Sequence, residues 1–207
     1  MKLRSVELPP RAPGLDRTLI LLHGFGADEH DLLPIAHELD ARFRVVSLQA
    51  PLALDQGGRA WFNLQQTRDG FAFDPDEVAN AARLALEAGE EIARSSPRPL
   101  LCGFSQGAGM ALSVVLARPE IPSGALALSA VPPRVDRPAP PEKLRGFPVF
   151  AAHGLFDPLL PVEVGRATRD LLQQLGLSVT WREYPMGHMV VPAELNDARA
   201  WLSGVLG

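Results

Sequence analysis

The feature that most constrains the fold is a regular alternation between short apolar runs and longer segments with helical periodicity. The run Leu19-Ile20-Leu21-Leu22 is uninterrupted. Such runs are typical of parallel strands that helices cover on both faces, because neither face then meets water. Strands that alternate with helices are joined by right-handed crossovers. The sequence therefore predicts an α/β fold with a mostly parallel, doubly wound sheet flanked by helices.

Six strands and five helices follow from this pattern. The predicted strands are Thr18–Leu22, Arg44–Leu48, Pro99–Gly103, Gly124–Leu128, Val149–His153 and Ser178–Tyr184. The predicted helices are Asp28–Leu39, Asp76–Arg94, Gln106–Ala117, Val162–Leu175 and Ala193–Leu206.

Two stretches interrupt the alternation. Residues 50–73 are rich in aromatic residues, and we expect an ordered loop near a pocket. Residues 131–148 are rich in proline and are expected to cross the surface irregularly. Because the alternation resumes after each stretch, residues 1–207 are expected to form a single domain with no large cap domain.

Composition excludes several classes of function. The 20 basic and 24 acidic residues give a net charge of −4 without any basic block, so no nucleic-acid binding is expected. The sequence lacks both an apolar signal-peptide core and the roughly 18 consecutive apolar residues of a membrane span, so no stable membrane insertion is expected. One cysteine, Cys102, allows no intramolecular disulfide. We therefore expect a cytoplasmic protein.

The segment Gly103-Phe104-Ser105-Gln106-Gly107 carries the strongest chemical signal. It follows a predicted strand and leads into a predicted helix, which is the context that gives a G-x-S-x-G pattern its meaning. Glycine at both flanks avoids a clash at the sharp turn. The helix amides behind the serine favour negative charge at that point. We interpret Ser105 as a nucleophile; the alternative is a glycine-rich turn without chemistry.

A serine nucleophile needs a base and a group that orients the base. His188 lies in a loop after the last predicted strand, whereas His153 lies at a strand end and is expected to be packed locally. Asp157 follows the Val149–His153 strand, as the order Ser, Asp, His requires. Its competitor Asp136 follows no strand. We therefore predict Ser105, Asp157 and His188 as a catalytic triad at the carboxyl ends of the strands.

The predicted oxyanion hole combines two backbone N–H groups. One belongs to Gln106, which follows the nucleophile, and the other to the loop after the first predicted strand. Glycines on both sides of Phe25 let that loop turn an N–H inward. His23, at the start of the loop, is expected to be structural. His23, His30 and His37 recur every seven residues, but no zinc-type spacing accompanies them, and no metal or cofactor is expected.

These residues resemble the carboxylesterase/phospholipase family of α/β-hydrolases, which includes the acyl-protein thioesterases. The resemblance implies an α/β-hydrolase fold, cleavage of carboxylic esters or thioesters without a cofactor, and oxyanion donors at Phe25 and Gln106. Besides the serine segment, the shared motifs are Leu22-His23-Gly24-Phe25-Gly26, Arg59-Ala60-Trp61-Phe62, His153-Gly154 with Asp157-Pro158, and Gly187-His188.

The expected partner is a small-molecule ester or an acylated substrate. An exposed apolar edge near Trp61 could support a homodimer. Two alternatives remain at this point: a dienelactone-hydrolase-like enzyme, although such enzymes usually have a cysteine nucleophile, and a catalytically inactive hydrolase fold that acts as a binding module. The side chains expected to line the acyl pocket are Phe25, Trp61, Phe71, Phe73, Leu155, Phe156 and Met189.

Overall fold

Strands and helices alternate along the computed structural model, which describes residues 2–67, 70–96 and 98–206 and their side chains except those of residues 66–71. The strands are β1 (Ser5–Leu8), β2 (Thr18–Leu22), β3 (Arg44–Leu48), β4 (Leu52–Ala53), β5 (Arg59–Ala60), β6 (Gln65–Thr67), β7 (Gly70–Ala72), β8 (Leu100–Phe104), β9 (Gly124–Leu128), β10 (Pro148–Gly154) and β11 (Ser178–Tyr184). The helices are α1 (Leu33–Leu39), α2 (Pro75–Ser95), α3 (Gln106–Ala117), α4 (Pro141–Leu144), α5 (Val162–Gln174) and α6 (Pro192–Leu206).

The central sheet has seven strands in the order β1-β3-β2-β8-β9-β10-β11. All neighbouring strands pair in parallel except β1, which runs antiparallel to β3 with Ser5 opposite Leu48. The six parallel strands therefore end at the same edge of the sheet. The predicted mostly parallel, doubly wound sheet is confirmed.

The sheet is buried on both faces. Leu19 and Leu21 of β2 pack in one apolar cluster with α1 and α6, whereas Ile20 and Leu22 pack in a second cluster with α2 and α3. Successive residues of a strand face opposite sides of the sheet, so each cluster receives every second side chain. This arrangement explains why β2 is apolar at four consecutive positions.

The predicted elements are all present, with one clear error in their limits. The first helix begins at Leu33 and not at Asp28. Asp28 accepts a hydrogen bond from the N–H of His30 in a turn, and Pro34 lies in the first turn of the helix. Proline lacks an N–H and fits an α-helix only in that first turn, so the helix cannot extend far before it.

Sequence periodicity also missed the shorter elements. The edge strand β1 was not predicted, because its four residues contain no apolar run. The described part of the aromatic-rich stretch contains two small antiparallel pairs, β4 with β5 and β6 with β7. The proline-rich stretch contains the one-turn helix α4. Among the described residues, no helix has the length and apolar character needed to cross a membrane.

Candidate active site

Three parallel strands, β8, β10 and β11, deliver Ser105, Asp157 and His188 to the same edge of the sheet. Ser105 directly follows β8, Asp157 comes three residues after β10, and His188 comes four residues after β11. The carboxyl ends of parallel strands are where open α/β sheets place their sites. The structure therefore brings the three predicted triad residues to one end of the sheet.

His188 and Asp157 form a short, sheltered hydrogen bond. Nδ1 of His188 lies 2.6 Å from Oδ2 of Asp157, whose side chain has no exposed surface. The His188 ring also packs against Phe104, with ring centroids 4.8 Å apart. Since Phe104 directly precedes Ser105, this contact sets the imidazole beside the serine turn. Nδ1 is committed to Asp157, which leaves Nε2 for other partners.

Asp157 is held as a carboxylate by several donors. Burial raises the pKa of its carboxyl, but the Leu160 N–H, the His188 ring and the Leu159 N–H together lower that pKa below its ordinary value. The two backbone N–H groups each lie 2.9 Å from Oδ1. One oxygen is thus fixed by the following turn, and the other is directed at His188.

Ser105 occupies a strained turn between β8 and α3. Its φ of 55° is unusual for a residue with a side chain and costs on the order of 1–3 kcal/mol. Its amide donates to the Leu128 carbonyl and its carbonyl accepts from Val131, so the neighbouring strand fixes the turn. Although Ser105 is the N-cap of α3, its hydroxyl makes no capping hydrogen bond. The hydroxyl is therefore not committed to the helix.

The glycine that follows this turn permits a close approach between α3 and β2. A Cβ atom on Gly107 would lie 1.9 Å from the carbonyl oxygen of Leu22 and 2.5 Å from that of His23. Both contacts are with backbone, which cannot move aside. The second glycine of the motif is therefore required by packing, as its place in the sequence predicts.

The predicted oxyanion donors lie beside Ser105. Gln106 is the first residue of α3, and its N–H has no acceptor within the helix. Gly24 packs near the serine, since a Cβ on this residue would lie 3.4 Å from Cβ of Ser105. Among the described residues, neither the Phe25 N–H nor the Gln106 N–H donates a hydrogen bond. Both N–H groups are therefore uncommitted, one directly after Ser105 and the other directly after Gly24, which packs near it.

His23 anchors the loop that carries Phe25, which confirms its structural role. Its buried ring accepts from the Ala50 N–H at Nε2 and, at Nδ1, lies 2.8 Å from the Gly24 carbonyl. A carbonyl only accepts, so Nδ1 carries the proton and the ring is neutral. Burial lowers the pKa of His23, which favours the same form.

The side chain of Gln106 ties the serine turn to the aromatic-rich loop. Its oxygen accepts from the Trp61 N–H at 3.1 Å, and its nitrogen donates to the Phe62 carbonyl at 2.9 Å. The Trp61 indole donates to the His23 carbonyl at 2.9 Å. Gln106 and Trp61 therefore join the predicted oxyanion loop, the serine turn and the 59–62 segment into one unit.

Comparison with known proteins decides the family. Residues 9–206 match the Phospholipase/Carboxylesterase family. The chain belongs to this family. Acyl-protein thioesterase 1 of Gibberella zeae is 29% identical, and the match covers 93% of this chain and 92% of that protein. Carboxylesterase SOBER1 of Arabidopsis thaliana is 26% identical over 90% of each chain.

Solved structures show the same fold. The carboxylesterase of Bacillus cereus superposes with a TM-score of 0.83 at 24% identity, covering 98% of this chain and 94% of that one. The predicted resemblance and the predicted α/β-hydrolase fold are confirmed. This member of the phospholipase/carboxylesterase family thus retains the family's architecture at low sequence identity.

Exposed apolar side chains form a rim on the loops at the sheet edge that carries the predicted triad residues of this phospholipase/carboxylesterase-family protein. It comes from three loops: the loop before α1, the loop after β10 and the loop after β11. Five of the six large apolar side chains that are exposed among the described residues lie here. They are Phe25 (42% exposed), Leu155 (39%), Phe156 (71%), Leu159 (50%) and Met189 (54%).

Two of the remaining predicted pocket residues, Trp61 and Phe73, are not among the exposed apolar side chains. Trp61 is only 1% exposed and packs in the core, so the predictions that it lines the pocket and borders an exposed dimer edge are corrected. Its indole is held in the core by the hydrogen bond that it donates to the His23 carbonyl. Phe73 is half-buried against Phe62, with ring centroids 5.7 Å apart. The side chain of Phe71 lies outside the described residues.

Two further features could be interpreted as functional sites: the thiol of Cys102 as a nucleophile, and the group of Asp28, Glu29 and His30 as metal ligands. Burial raises the pKa of the Cys102 thiol to about 12, so this residue is a small apolar core residue, as predicted, and not a nucleophile. Asp28, Glu29 and His30 place possible metal-ligating atoms within 4.8 Å of one another. Glu29 already accepts from Gln49, and the group faces solvent, so we assign no ion to it.

Sequence reasoning missed three contributors to the site. Phe104 packs on His188, Gln106 acts through its side chain as well as its N–H, and Leu160 supplies an amide to Asp157. The motif pointed to the first two, since Phe104 and Gln106 flank the serine. Nothing in the sequence marks Leu160, because its role is carried by its backbone.

Proposed function

We propose that this protein hydrolyses carboxylic esters or thioesters through an acyl-enzyme on Ser105. Membership of the phospholipase/carboxylesterase family supports the reaction class. The 2.6 Å hydrogen bond between His188 and Asp157, at the sheet edge that also carries Ser105, is the observation that supports the mechanism. It supplies a base that is oriented by a charged carboxylate.

In this mechanism, Nε2 of His188 takes the hydroxyl proton as Ser105 attacks the carbonyl carbon. The negative oxygen of the tetrahedral intermediate accepts hydrogen bonds from the Phe25 and Gln106 N–H groups. The protonated imidazole, stabilised by Asp157, then gives its proton to the leaving alcohol or thiol. Water, activated by the same histidine, cleaves the acyl-enzyme and restores the serine. Preorganised donors of this kind are worth about 2.7–4 kcal/mol each.

The exposed rim supports a substrate with an apolar acyl group. Rim side chains come from the same loops as Phe25, Asp157 and His188, so an acyl chain on Ser105 would lie against them. Removing their exposed apolar area from water would favour binding at about 25 cal/mol per Å². We also propose that the protein works in the cytoplasm, which its single buried cysteine supports.

Hydrolysis of p-nitrophenyl esters from acetate to palmitate tests the proposal. Wild type should cleave them, and Ser105→Ala should lose about a million-fold in turnover. Ser203→Ala, which removes an exposed hydroxyl in α6, is the matched control and should remain active. A reactive-serine probe should label wild type and the control only. Equal activity of wild type and Ser105→Ala would show that Ser105 is not the nucleophile.

A further inference from the structure

A second histidine lies next to the Asp157 carboxylate. His153, near the end of β10, is fully buried. Its Nε2 lies 2.8 Å from the carbonyl oxygen of Leu160 and 3.6 Å from Oδ2 of Asp157. The proposed mechanism gives this ring no task, although it is within reach of the group that orients His188.

The hydrogen bonds show which nitrogen of the His153 ring is the donor. The Leu160 carbonyl only accepts, so Nε2 must carry the proton. Nδ1 is buried and has no hydrogen-bond partner among the described residues. The ring therefore donates through Nε2 alone.

Leu160 connects this donor to the carboxylate. Its N–H donates to Oδ1 of Asp157 at 2.9 Å, while its carbonyl accepts from His153. One residue thus binds the histidine through one backbone group and the aspartate through the other. The His153 ring and Oδ1 of Asp157 are therefore connected through the 157–160 turn.

The ring is in turn fixed by its own surroundings. Trp181 of β11 stacks on it, with ring centroids 6.4 Å apart and planes 27° apart. On its edge, a Cβ atom on Gly165 of α5 would lie only 2.5 Å from Nδ1. Leaving Nδ1 buried without a partner has a cost in stability that an apolar side chain would avoid. This cost indicates that the donor at Nε2 is needed.

We propose that His153 is a positioning residue that holds the 157–160 turn so that Asp157 directs Oδ2 at Nδ1 of His188. The inference rests on the proposed triad. It assigns His153 no contact with the substrate: its effect passes through Leu160 and Asp157.

Three substitutions test this role. His153→Gln keeps an N–H donor at a similar reach, whereas His153→Leu removes the donor. Phe150→Leu is the matched control, since Phe150 is buried in the same strand and its ring packs against Trp201. We expect His153→Leu to lower kcat by about tenfold to a hundredfold, with KM close to wild type. His153→Gln should recover most of the loss, and Phe150→Leu should keep wild-type kcat.

Two readouts separate positioning from general packing. With Asp157 misaligned, the imidazolium that forms during catalysis is less stabilised, so the acid limb of the kcat/KM–pH profile should move to lower pH in His153→Leu. The downfield proton resonance of the His188–Asp157 hydrogen bond should weaken in that variant. Phe150→Leu should change neither. The resonance needs no turnover and tests the inference even if no substrate is cleaved.

Gly165→Ala provides a second route to the same test. Alanine favours the helix over glycine, so any loss must come from the new Cβ, which would meet the His153 ring at 2.5 Å and the Trp181 ring stacked on it at 2.8 Å. It should lower kcat in the same way as His153→Leu. Wild-type kcat, pH profile and resonance in both His153→Leu and Gly165→Ala would overturn the inference. So would a loss in His153→Leu as large as that in Ser105→Ala without recovery by glutamine, because His153 would then act directly.

Discussion

The side-chain oxygen of Gln106 accepts a hydrogen bond from the backbone N–H of Trp61, 45 residues earlier in the chain. The amide nitrogen of the same side chain donates to the Phe62 carbonyl. Gln106, which belongs to the serine motif, thus also fixes the loop that contains Trp61 and Phe62. Its side chain and its backbone N–H contribute to different parts of the same centre.

Replacing Gln106 with alanine should destabilise the protein. The Trp61 N–H and the Phe62 carbonyl would both be left buried without a partner, at roughly 2–4 kcal/mol in total. Urea unfolding measures the change. Gln173→Ala, in an exposed position of α5, is the control and should leave stability within experimental error. Equal midpoints for the two variants would show that the Gln106 hydrogen bonds do not stabilise the loop.

Asp157→Asn should lower kcat by about ten-thousand-fold while the fold is retained. The asparagine oxygen can still accept from Leu159 and Leu160, which leaves its NH₂ group facing Nδ1 of His188. The imidazole would then have to present the wrong tautomer to the serine. Initial rates with a short-chain ester measure the effect, and circular dichroism checks the fold. Asp136→Asn, at the exposed aspartate that the sequence offered as a competitor, should be fully active.

The apolar rim should determine the acyl-chain preference. Phe156→Ser and Met189→Ser should each reduce kcat/KM for long-chain esters by about threefold to tenfold and change acetate hydrolysis little, because only long chains reach these side chains. A chain-length series measures the preference. Leu171→Ser, which removes a similarly exposed leucine in α5, should leave the series unchanged. A uniform loss at every chain length would argue against rim contact with the acyl chain.

A buried carboxyl in α6 should contribute a loss of stability as pH rises. Glu194, in the first turn of α6, is fully buried, and neither oxygen makes a hydrogen bond of normal geometry among the described residues. Burial raises the pKa of Glu194 from 4.5 to about 7, although the nearby Val191 N–H opposes this in part. Between these values the unfolded chain has released the proton and the folded chain still holds it.

Glu194 should therefore contribute a decrease of about 3 kcal/mol in the free energy of unfolding as pH rises from about 4.5 through about 7. Glu194→Gln should remove this decrease, so that the variant gains relative to wild type above pH 7. Urea unfolding at pH 5 and pH 8 measures both proteins. Glu142→Gln, at an exposed site in α4, should follow wild type. Parallel pH profiles for wild type and Glu194→Gln would contradict the prediction.

The helices and strands that could be predicted from the sequence are those marked by a clear pattern in neighbouring residues. The limits of α3 match the prediction because a glycine-flanked serine and a mainly apolar segment mark them. Asp157 and His188 could be proposed from the sequence because each follows a predicted strand. The burial of Trp61 could not be foreseen. An aromatic side chain in a loop is equally compatible with a pocket and with a core, and only the distant His23 carbonyl decides between them.

The apolar character of β2 leaves its alignment with the neighbouring strands poorly determined by hydrophobicity. A shift by one residue exchanges Leu19 and Leu21 for Ile20 and Leu22, and both faces would still be filled with apolar side chains. In a half-buried strand the same shift would expose the core face to water. Here backbone contacts such as the close approach of Gly107 to the Leu22 carbonyl distinguish the two alignments. The backbone contact at the serine turn therefore also serves as the reference point from which the centre of the sheet is aligned.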